Sequence, residues 1–332
     1  MTEKAAVLGS GSWGTALSIA LADSGREVLL YGNDPVIRDE INREHRNSKY
    51  LPGIVLPDSI SATIDINDLR EMPVILLVVP SQVARLVLGE LGAAGIGTET
   101  IIVNCTKGID PGTGKLMHDL IHEFFPDNPV AVLSGPSHAE EVANRMATLA
   151  TIGSEDPLIA AKVQEIFALP WFRTYTSDDI VGIELGGVVK NVFAIAAGAI
   201  DGLGLGDNAK AAMVTRALAE MTRLGVALGA KDETFRGLSG LGDLIVTCYS
   251  VHSRNNRVGR MLGSGKTLDE AIAAMNQVAE GVPNAKNAYE LARKLGVRTP
   301  LIDQAYAVLY ENKPPSAALR ELLERNPRSE AD

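Results

Sequence analysis

The feature that most constrains the fold is a glycine-rich turn near the start of the sequence. An apolar run, Ala5–Gly9, leads directly into the string GSGSWG at residues 9–14, and a helical pattern follows over Thr15–Asp23. In a strand–turn–helix setting, the first glycine allows a tight turn, the second lets backbone approach a pyrophosphate, and the third packs helix on strand. The helix N-terminus then faces the anion. The turn therefore predicts a dinucleotide-binding unit.

Apolar runs alternate with helical stretches through the first half of the chain. The further strand-like runs are Glu27–Gly32, Val74–Pro80, Thr100–Cys105, Val130–Ser134 and Thr148–Gly153. Near-continuous apolar strands indicate a parallel sheet covered on both faces, and their spacing suits βαβ units. We predict an α/β fold in which residues 1–180 form a Rossmann-type doubly wound parallel sheet domain.

The second half has helical periodicity almost throughout. The clearest helical segments are Asn208–Leu228, Thr267–Met275, Asn284–Leu295, Pro300–Tyr310 and Ser316–Glu324. Several begin with Asn, Thr or Pro, which are typical helix start signals. We predict an all-helical domain over residues 181–332, joined to the first near Lys190.

Composition excludes several functional classes. A formal net charge of -10 argues against a general nucleic-acid binder, because a phosphate polymer would be repelled. The two cysteines, Cys105 and Cys248, match neither a disulfide framework nor a metal site, so we expect no metal and a reducing cytoplasmic setting. We see no signal peptide, and the apolar run Val192–Ile200 is too short to span a bilayer.

Lys190 lies in the segment ELGGVVKNVFAIAAGA at residues 184–199, and every other residue between Leu185 and Ala199 is apolar or glycine, apart from Asn191. If Glu184 to Ile200 is one helix, the neighbours of Lys190 on its face are all small, and this predicts a hollow beside the ammonium. These small neighbours are Gly186, Gly187, Ala194 and Ala197. A ligand-facing lysine would need such a hollow. The alternative is a lysine that reaches solvent along its stem or pairs with Glu184.

Polar clusters occur on both sides of this segment. Downstream, a glycine series ends at Asp243, which is either a turn residue or a carboxylate that orients an ammonium, and Thr247 follows. Ser253-Arg254-Asn255 begins a helix and offers a guanidinium, an amide and backbone donors, which suit a phosphate. The alternative is a solvated helix start capped by Ser253.

Upstream, two strands end in polar residues at the edge where α/β sheets bind ligands. Lys107 follows the run Thr100–Cys105, and Gly135 and Ser137 follow Val130–Ser134. The alternatives are an exposed loop charge for Lys107 and a helix N-cap for Ser137.

The end of the second strand decides how the cofactor ribose is bound. An NAD-binding domain usually places an acidic side chain there for the 2′-hydroxyl. Here the strand ends in Gly32-Asn33-Asp34, and Asp34 could equally cap the next helix before Pro35. Asn33 can hydrogen-bond either a hydroxyl or a phosphate. The choice between NAD and NADP stays open.

These motifs together resemble the NAD(P)-dependent glycerol-3-phosphate dehydrogenases of bacteria. The motifs GSGSWG, NCTKG, SGPSHAEE, GGVVKN, GLSGLGD and SRNNR occur in one order, and the resemblance covers roughly residues 5–312. It implies a Rossmann domain followed by a helical domain. Many relatives carry histidine or arginine at the position of Asn33, so the resemblance does not fix the cofactor preference.

The resemblance also implies roles for individual residues. Lys190 would be the catalytic proton donor, Asp243 would help to hold it, and Asn191 and Thr247 would support it. Substrate contacts would come from Lys107, Gly135, Ser137, Ser253, Arg254 and Asn255. Cofactor contacts would come from Gly9, Gly11, Ser12, Trp13, Gly14, Asn33, Lys107, Ala139, Arg254, Val278 and Glu280.

We therefore expect an enzyme, a glycerol-3-phosphate dehydrogenase that interconverts dihydroxyacetone phosphate and sn-glycerol 3-phosphate with NAD or NADP and supplies phospholipid synthesis. We also expect a homodimer. One alternative is a relative that acts on a 3-hydroxy acid, which would not need Arg254 and Asn255. Another is a nucleotide-binding sensor without turnover, which would not need Lys190 and Asp243.

Overall fold

The structure is a computed structural model that describes residues 3–275, 278–326 and 329. The chain divides into two compact units. The first comprises Met1–Gly187 and Ala230–Asp243, and the second comprises Val188–Gly229 and Leu244–Asp332.

The first unit is built on an eight-stranded sheet with the strand order β3-β2-β1-β4-β5-β6-β7-β8. The strands are β1 (Lys4–Leu8), β2 (Glu27–Tyr31), β3 (Ile60–Thr63), β4 (Val74–Leu77), β5 (Ile101–Asn104), β6 (Val130–Ser134), β7 (Thr148–Gly153) and β8 (Phe172–Ser177). All neighbouring strands pair in parallel except β6 and β7, which are antiparallel. The predicted Rossmann-type doubly wound fold is confirmed.

Both faces of this sheet are covered, as the apolar runs predicted. Along β1, Ala5 and Val7 belong to one buried cluster, whereas Ala6 and Leu8 belong to another. Because successive side chains of a strand point to opposite faces, the two clusters lie on the two sides of the sheet. The helices of this unit are α1 (Ser12–Asp23), α2 (Pro35–Glu44), α3 (Ser81–Ala94), α4 (Met117–Phe124), α5 (Ala139–Ala143) and α6 (Pro157–Ile166).

Three features of the sheet differ from the sequence prediction. Strands β3 and β8 were not predicted. The first has only four residues, and the second, FRTYTS, is largely polar. The antiparallel pairing of β6 with β7 was also not predicted, because an apolar run carries no information about strand direction.

Helix α7 (Ile180–Gly202) extends beyond both ends of the predicted segment. It is the one helix of the described residues that is long and apolar enough to cross a membrane, but 89% of its most apolar window is buried inside the protein. Such burial is typical of a core helix rather than of a membrane span.

The described part of the second unit is helical, in agreement with the predicted all-helical C-terminal domain. Its further helices are α8 (Gly206–Ala227), α9 (Asp243–Tyr249), α10 (Arg254–Gly263), α11 (Leu268–Ala273), α12 (Gly281–Lys294), α13 (Pro300–Tyr310) and α14 (Pro315–Leu323); α9 starts at the last residue of the first unit. Each predicted helical segment matches one of these helices to within a few residues.

Candidate active site

The glycine turn between β1 and α1 has the geometry that its spacing predicts. Gly9 has a φ of 132°, and a Cβ there would overlap the carbonyl oxygen of Val78. A Cβ on Gly14 would overlap the carbonyl oxygen of Gly9. A Cβ on Gly11, in contrast, would meet no atom within 4 Å among the described residues. Gly9 and Gly14 therefore allow close packing, whereas Gly11 leaves an open approach to the backbone.

The start of α1 fits the pyrophosphate of a dinucleotide. Gly11 is the N-cap residue and has no side chain with which to cap the helix. The positive end of a 12-residue helix therefore faces the open space at Gly11. Trp13 lies in the first turn, and within the described part of the chain its buried Nε1 has no hydrogen-bond partner. An indole N–H usually finds an acceptor when it is buried, so a bound group would supply one here.

The end of β2 lies against this turn, since a Cβ on Gly32 would overlap Ser10 Oγ. The next residue, Asn33, is exposed. Asp34 caps α2: its carboxylate accepts from Val36 N at 3.0 Å and from Lys49 Nζ at 3.1 Å. The hydrogen bond from Lys49 holds the pKa of Asp34 below its usual range. Of the two roles considered for Asp34, the structure favours the helix cap.

Lys107 is the centre of a polar cluster beyond the ends of β5 and β6. Its Nζ donates to Asp243 Oδ2 at 2.8 Å and to the carbonyl oxygen of Gly135 at 3.1 Å, and lies 3.5 Å from Ser137 Oγ. Asp243 is fully buried. A buried carboxylate needs such a charged partner, and the ion pair with Lys107 provides it. The sequence did not predict this pairing.

Gly135 has a φ of 144°, and a Cβ there would lie 3.0 Å from the Cα of Ala150. Only glycine fits this position without strain. The turn after β6 therefore aims the Gly135 carbonyl at the Lys107 ammonium, and Ser137 Oγ donates to the same carbonyl at 2.8 Å.

In the second unit, Lys190 lies on α7 and is only 6% exposed. Its Nζ donates to the buried hydroxyl of Thr247 on α9 at 2.9 Å. The neighbouring Asn191 accepts a hydrogen bond from Asn255 Nδ2 at 2.9 Å, and Asn255 Oδ1 accepts from Gly281 N at 2.9 Å. The amide of Asn255 therefore ties α7 to the starts of α10 and α12.

The predicted hollow at Gly186 and Gly187 is wrong. A Cβ on Gly186 would overlap the carbonyl oxygen of Ser239, and one on Gly187 would lie 2.8 Å from Ser134 Oγ. These glycines allow other segments to approach α7 rather than leave space. The carboxylate of Glu184, considered as a partner for Lys190, is bound by Asn104 and His118.

Small residues farther along α7 have the same role against α10. A Cβ on Gly198 would overlap the carbonyl oxygen of Asn256, and one on Gly259 would overlap that of Ile195. Gly202 and Gly263 make similarly close approaches. This packing fixes the start of α10, where Ser253 Oγ accepts from Asn256 N at 3.2 Å as the N-cap. The first residue of the helix, Arg254, is exposed.

The remaining predicted cofactor residues lie in different settings. Ser12 is buried in the first turn of α1. Ala139, the first residue of α5, is buried in a core cluster of the first unit. In the second unit, Val278 is half exposed and Glu280 is the N-cap residue of α12.

Sequence reasoning missed one buried polar cluster in the first unit, formed by Asn104, His118 and Glu184. Glu184 on α7 lies 80 positions from Asn104 on β5 and 66 positions from His118 on α4, and no motif joins them. The available signal was a carboxylate in an otherwise apolar segment, which was considered only as a partner for Lys190.

Comparison with known proteins identifies relatives over the whole chain. The family model of the NAD-dependent glycerol-3-phosphate dehydrogenase N-terminus matches residues 4–160, and that of the C-terminus matches residues 179–320. A glycerol-3-phosphate dehydrogenase (NAD(P)+) of Enterococcus faecalis is 49% identical over 334 residues, which cover 99% of this chain and 98% of the relative. A protein of the same name from Bacillus cytotoxicus is 48% identical, with 99% and 97% covered.

A solved structure is also similar over its full length. The crystal structure of glycerol-3-phosphate dehydrogenase from Coxiella burnetii has a TM-score of 0.94 and 40% sequence identity. The alignment covers 98% of this chain and 99% of the Coxiella chain. The resemblance inferred from the sequence motifs is therefore confirmed.

Proposed function

Because the chain belongs to the NAD-dependent glycerol-3-phosphate dehydrogenase family, we propose that it interconverts dihydroxyacetone phosphate and sn-glycerol 3-phosphate with NAD or NADP. The observation that carries the proposed mechanism is the buried ammonium of Lys190, which lies on the predominantly apolar helix α7 and donates a hydrogen bond to the Thr247 hydroxyl. An ammonium in such surroundings is a strong stabiliser of negative charge on a nearby oxygen.

In the reducing direction, Lys190 donates a proton to the carbonyl oxygen of dihydroxyacetone phosphate. It also stabilises the negative charge that develops on this oxygen in the transition state. Thr247 holds the ammonium by accepting one of its hydrogens, and Asn191 holds the start of α10 through Asn255. In the oxidising direction, the neutral amine of Lys190 takes the proton from the alcohol.

A bound nicotinamide cofactor would supply the hydride in the reducing direction and accept it in the oxidising direction. The residues that would hold it are those of the glycine turn, Gly9, Gly11, Ser12, Trp13 and Gly14. The open backbone at Gly11 and the start of α1 support binding of its pyrophosphate. We assign Asn33 to the adenosine ribose because it follows β2 beside the turn. Ala139, Val278 and Glu280 are proposed to line the cofactor.

The substrate phosphate needs positive charge and hydrogen-bond donors. Arg254 is proposed to provide a guanidinium fork at the exposed first position of α10, where the helix dipole also favours an anion. Ser253 and Asn255 flank it. The Asn255 amide already makes two hydrogen bonds, and its second Nδ2 hydrogen is the one proposed for the phosphate.

Lys107 is proposed to contact the substrate and the cofactor, with Gly135 and Ser137 as further substrate contacts. Asp243 keeps the Lys107 ammonium in place through the buried ion pair. Its proposed role in holding Lys190 rests on the family resemblance, whereas its role in holding Lys107 rests on the 2.8 Å contact.

The proposal has three further parts, which concern the use of the product, the compartment and the oligomeric state. The product glycerol 3-phosphate supplies phospholipid synthesis, the enzyme acts in the cytoplasm, and it is a homodimer. Both cysteines are buried and neither forms a disulfide, and burial raises the pKa of the Cys105 thiol. Such thiols are unreactive, which suits a reducing compartment.

A turnover assay of the purified protein with dihydroxyacetone phosphate tests the function, with NADH and NADPH compared in parallel. We expect oxidation of the cofactor that depends on the phosphorylated ketone, and little activity with unphosphorylated dihydroxyacetone or with a 3-oxo acid. Cofactor binding without turnover of any of these would instead support a sensor.

A further inference from the structure

Glu184 is a buried carboxylate to which the proposed reaction assigns no role. Its side chain is 3% exposed on α7. Oε1 accepts from Asn104 Nδ2 at 2.5 Å and from His118 N at 3.0 Å, and Oε2 lies 2.6 Å from His118 Nδ1. Burying a carboxylate costs free energy unless every oxygen is bound, and here both oxygens have partners.

His118 holds Glu184 at the first turn of α4. Burial lowers the pKa of His118, but the charge and hydrogen bond of Glu184, helped by Asp119 and Glu155, outweigh this effect, and the net pKa is raised. Nδ1 therefore donates to the carboxylate, and the backbone N–H of His118 adds a second contact at the positive end of the helix. Glu184 is thus fixed from one side.

Asn104 connects Glu184 to the turn that carries Lys107. Asn104 is the last residue of β5, and its Oδ1 accepts from Thr106 N at 3.0 Å, which closes a side-chain turn. Its Nδ2 donates to Glu184. Nδ2 also donates to the carbonyl oxygen of Thr106 at 3.3 Å. Because the amide that shapes the turn is held by the carboxylate, the orientation of the turn depends on Glu184.

The same turn places Lys107 beside its hydrogen-bond partners. Thr106 Oγ1 donates to the carbonyl oxygen of Val79 at 2.8 Å, which ties the turn to the end of β4. Gly187, three residues after Glu184 on α7, packs beside the Lys107 stem, since a Cβ on Gly187 would lie in ordinary contact with Lys107 Cγ at 3.5 Å. The same face of α7 therefore holds the base of the turn and accommodates its side chain.

We propose that Glu184, through Asn104, is a positioning residue for Lys107 and thereby for the Lys107–Asp243 pair; the catalytic consequence rests on the proposed function. Lys107 Nζ lies 2.8 Å from Asp243 Oδ2, so a shift of the turn by ~1 Å breaks this contact, and misplacement on that scale costs ~10²-fold in rate.

The experiment changes each link separately. Glu184→Gln removes the charge and leaves one acceptor oxygen for the three donors that the carboxylate binds, Asn104 Nδ2, His118 N and His118 Nδ1, so it loosens the hold on Asn104. Asn104→Ser keeps a hydroxyl that can close the turn on Thr106 N but cannot reach Glu184. Glu220→Gln is the matched control, because Glu220 is an equally buried carboxylate that accepts backbone N–H groups at the start of α13.

We expect both changes to lower kcat/KM for dihydroxyacetone phosphate by ~10- to 100-fold, with the control within about twofold of the parent. In a Lys107→Met background, each should lower kcat/KM by less than about threefold further, because residues that act through one partner are not additive. Parental kcat/KM in Glu184→Gln, or losses that multiply with Lys107→Met, would overturn the inference. If Glu184→Gln does not fold, the kcat/KM of Asn104→Ser tests the inference in its place.

A second readout does not depend on turnover. The rate at which acetic anhydride labels Lys107, measured by mass spectrometry against the exposed Lys49, should rise severalfold in Glu184→Gln and Asn104→Ser. If the parent protein does not turn over dihydroxyacetone phosphate but labelling rises, the proposed function fails and the positioning of Lys107 by Glu184 stands. An unchanged labelling rate rejects the positioning role whatever the activity.

Discussion

We predict that the stability of the second unit depends on pH because of the buried carboxyl group of Glu220. It lies on α8, is 2% exposed, and accepts from Leu301 N at 2.8 Å and from Ile302 N at 3.3 Å, in the first turn of α13. Burial raises its pKa to about 7, although these two hydrogen bonds and Arg223 act in the opposite direction. The carboxyl group is therefore easier to protonate in the folded chain than in the unfolded one, where 4.5 is the ordinary value.

The direction of the pH dependence follows from this difference between the folded and the unfolded pKa of Glu220. A raised folded pKa contributes stability that is fully present below the unfolded value and is lost as the pH rises through about 7. One pKa unit corresponds to ~1.4 kcal/mol, so ionising Glu220 costs the folded state ~3 kcal/mol above both pKa values. Most of this loss, roughly 2–3 kcal/mol, falls between pH 5 and pH 8.

The assay compares the parent with Glu220→Gln by urea unfolding at pH 5 and pH 8, followed by circular dichroism. Glutamine cannot ionise, so the difference in unfolding free energy between the two proteins should change by roughly 2–3 kcal/mol in favour of the variant as the pH rises. Parallel pH dependences would refute the reasoning, because they would mean that Glu220 titrates normally in the folded state.

Two predictions concern specificity. Arg254→Lys should raise KM for dihydroxyacetone phosphate by ~10-fold or more, because a lysine cannot form a bidentate contact with phosphate. The activity with unphosphorylated dihydroxyacetone should barely change. Equal losses with both substrates would show that Arg254 does not bind the phosphate. Asn33→Arg should raise the ratio of kcat/KM for NADPH to that for NADH by ~1 kcal/mol or more, since the arginine adds one charge-assisted contact to a 2′-phosphate. If this ratio does not rise at constant salt, Asn33 does not lie at the ribose.

The local parts of the fold could be predicted from the sequence. The turn at Gly9–Gly14 is specified by residues adjacent in the chain, and the apolar runs that form β1, β2, β4, β5 and β6 carry their own signal. Strand β8 could not be predicted in this way, because its residues FRTYTS are largely polar and its pairing with β7 depends on residues outside the segment itself. Strand direction, as in the antiparallel β6 and β7, is likewise set by the connection and not by the run.

The residues of the candidate site could be predicted from the sequence better than the contacts between them. Lys107 and Asp243 were both chosen from the sequence, but their ion pair joins positions 136 residues apart, which spacing cannot show. Gly186 illustrates another limit: a glycine beside a functional residue looks the same whether the space is open or filled by another segment. The carbonyl oxygen of Ser239 fills it.

The proposed mechanism depends most on Lys190 as the proton donor, and one comparison of variants tests this role directly. Lys190→Met removes the ammonium but keeps an apolar stem, and Lys210→Met is the control, since Lys210 is a buried lysine of the same unit that pairs with Asp201 at 2.7 Å. Arg260 remains to bind Asp201 in the control. The measurement is kcat for dihydroxyacetone phosphate, with the cofactor Kd determined in parallel.

We predict that Lys190→Met lowers kcat by ~10²- to 10⁴-fold, the range for loss of a general acid, and leaves the cofactor Kd unchanged. Lys210→Met should keep kcat within about twofold of the parent. A Lys190→Met protein that retains near-parental kcat would contradict the central claim.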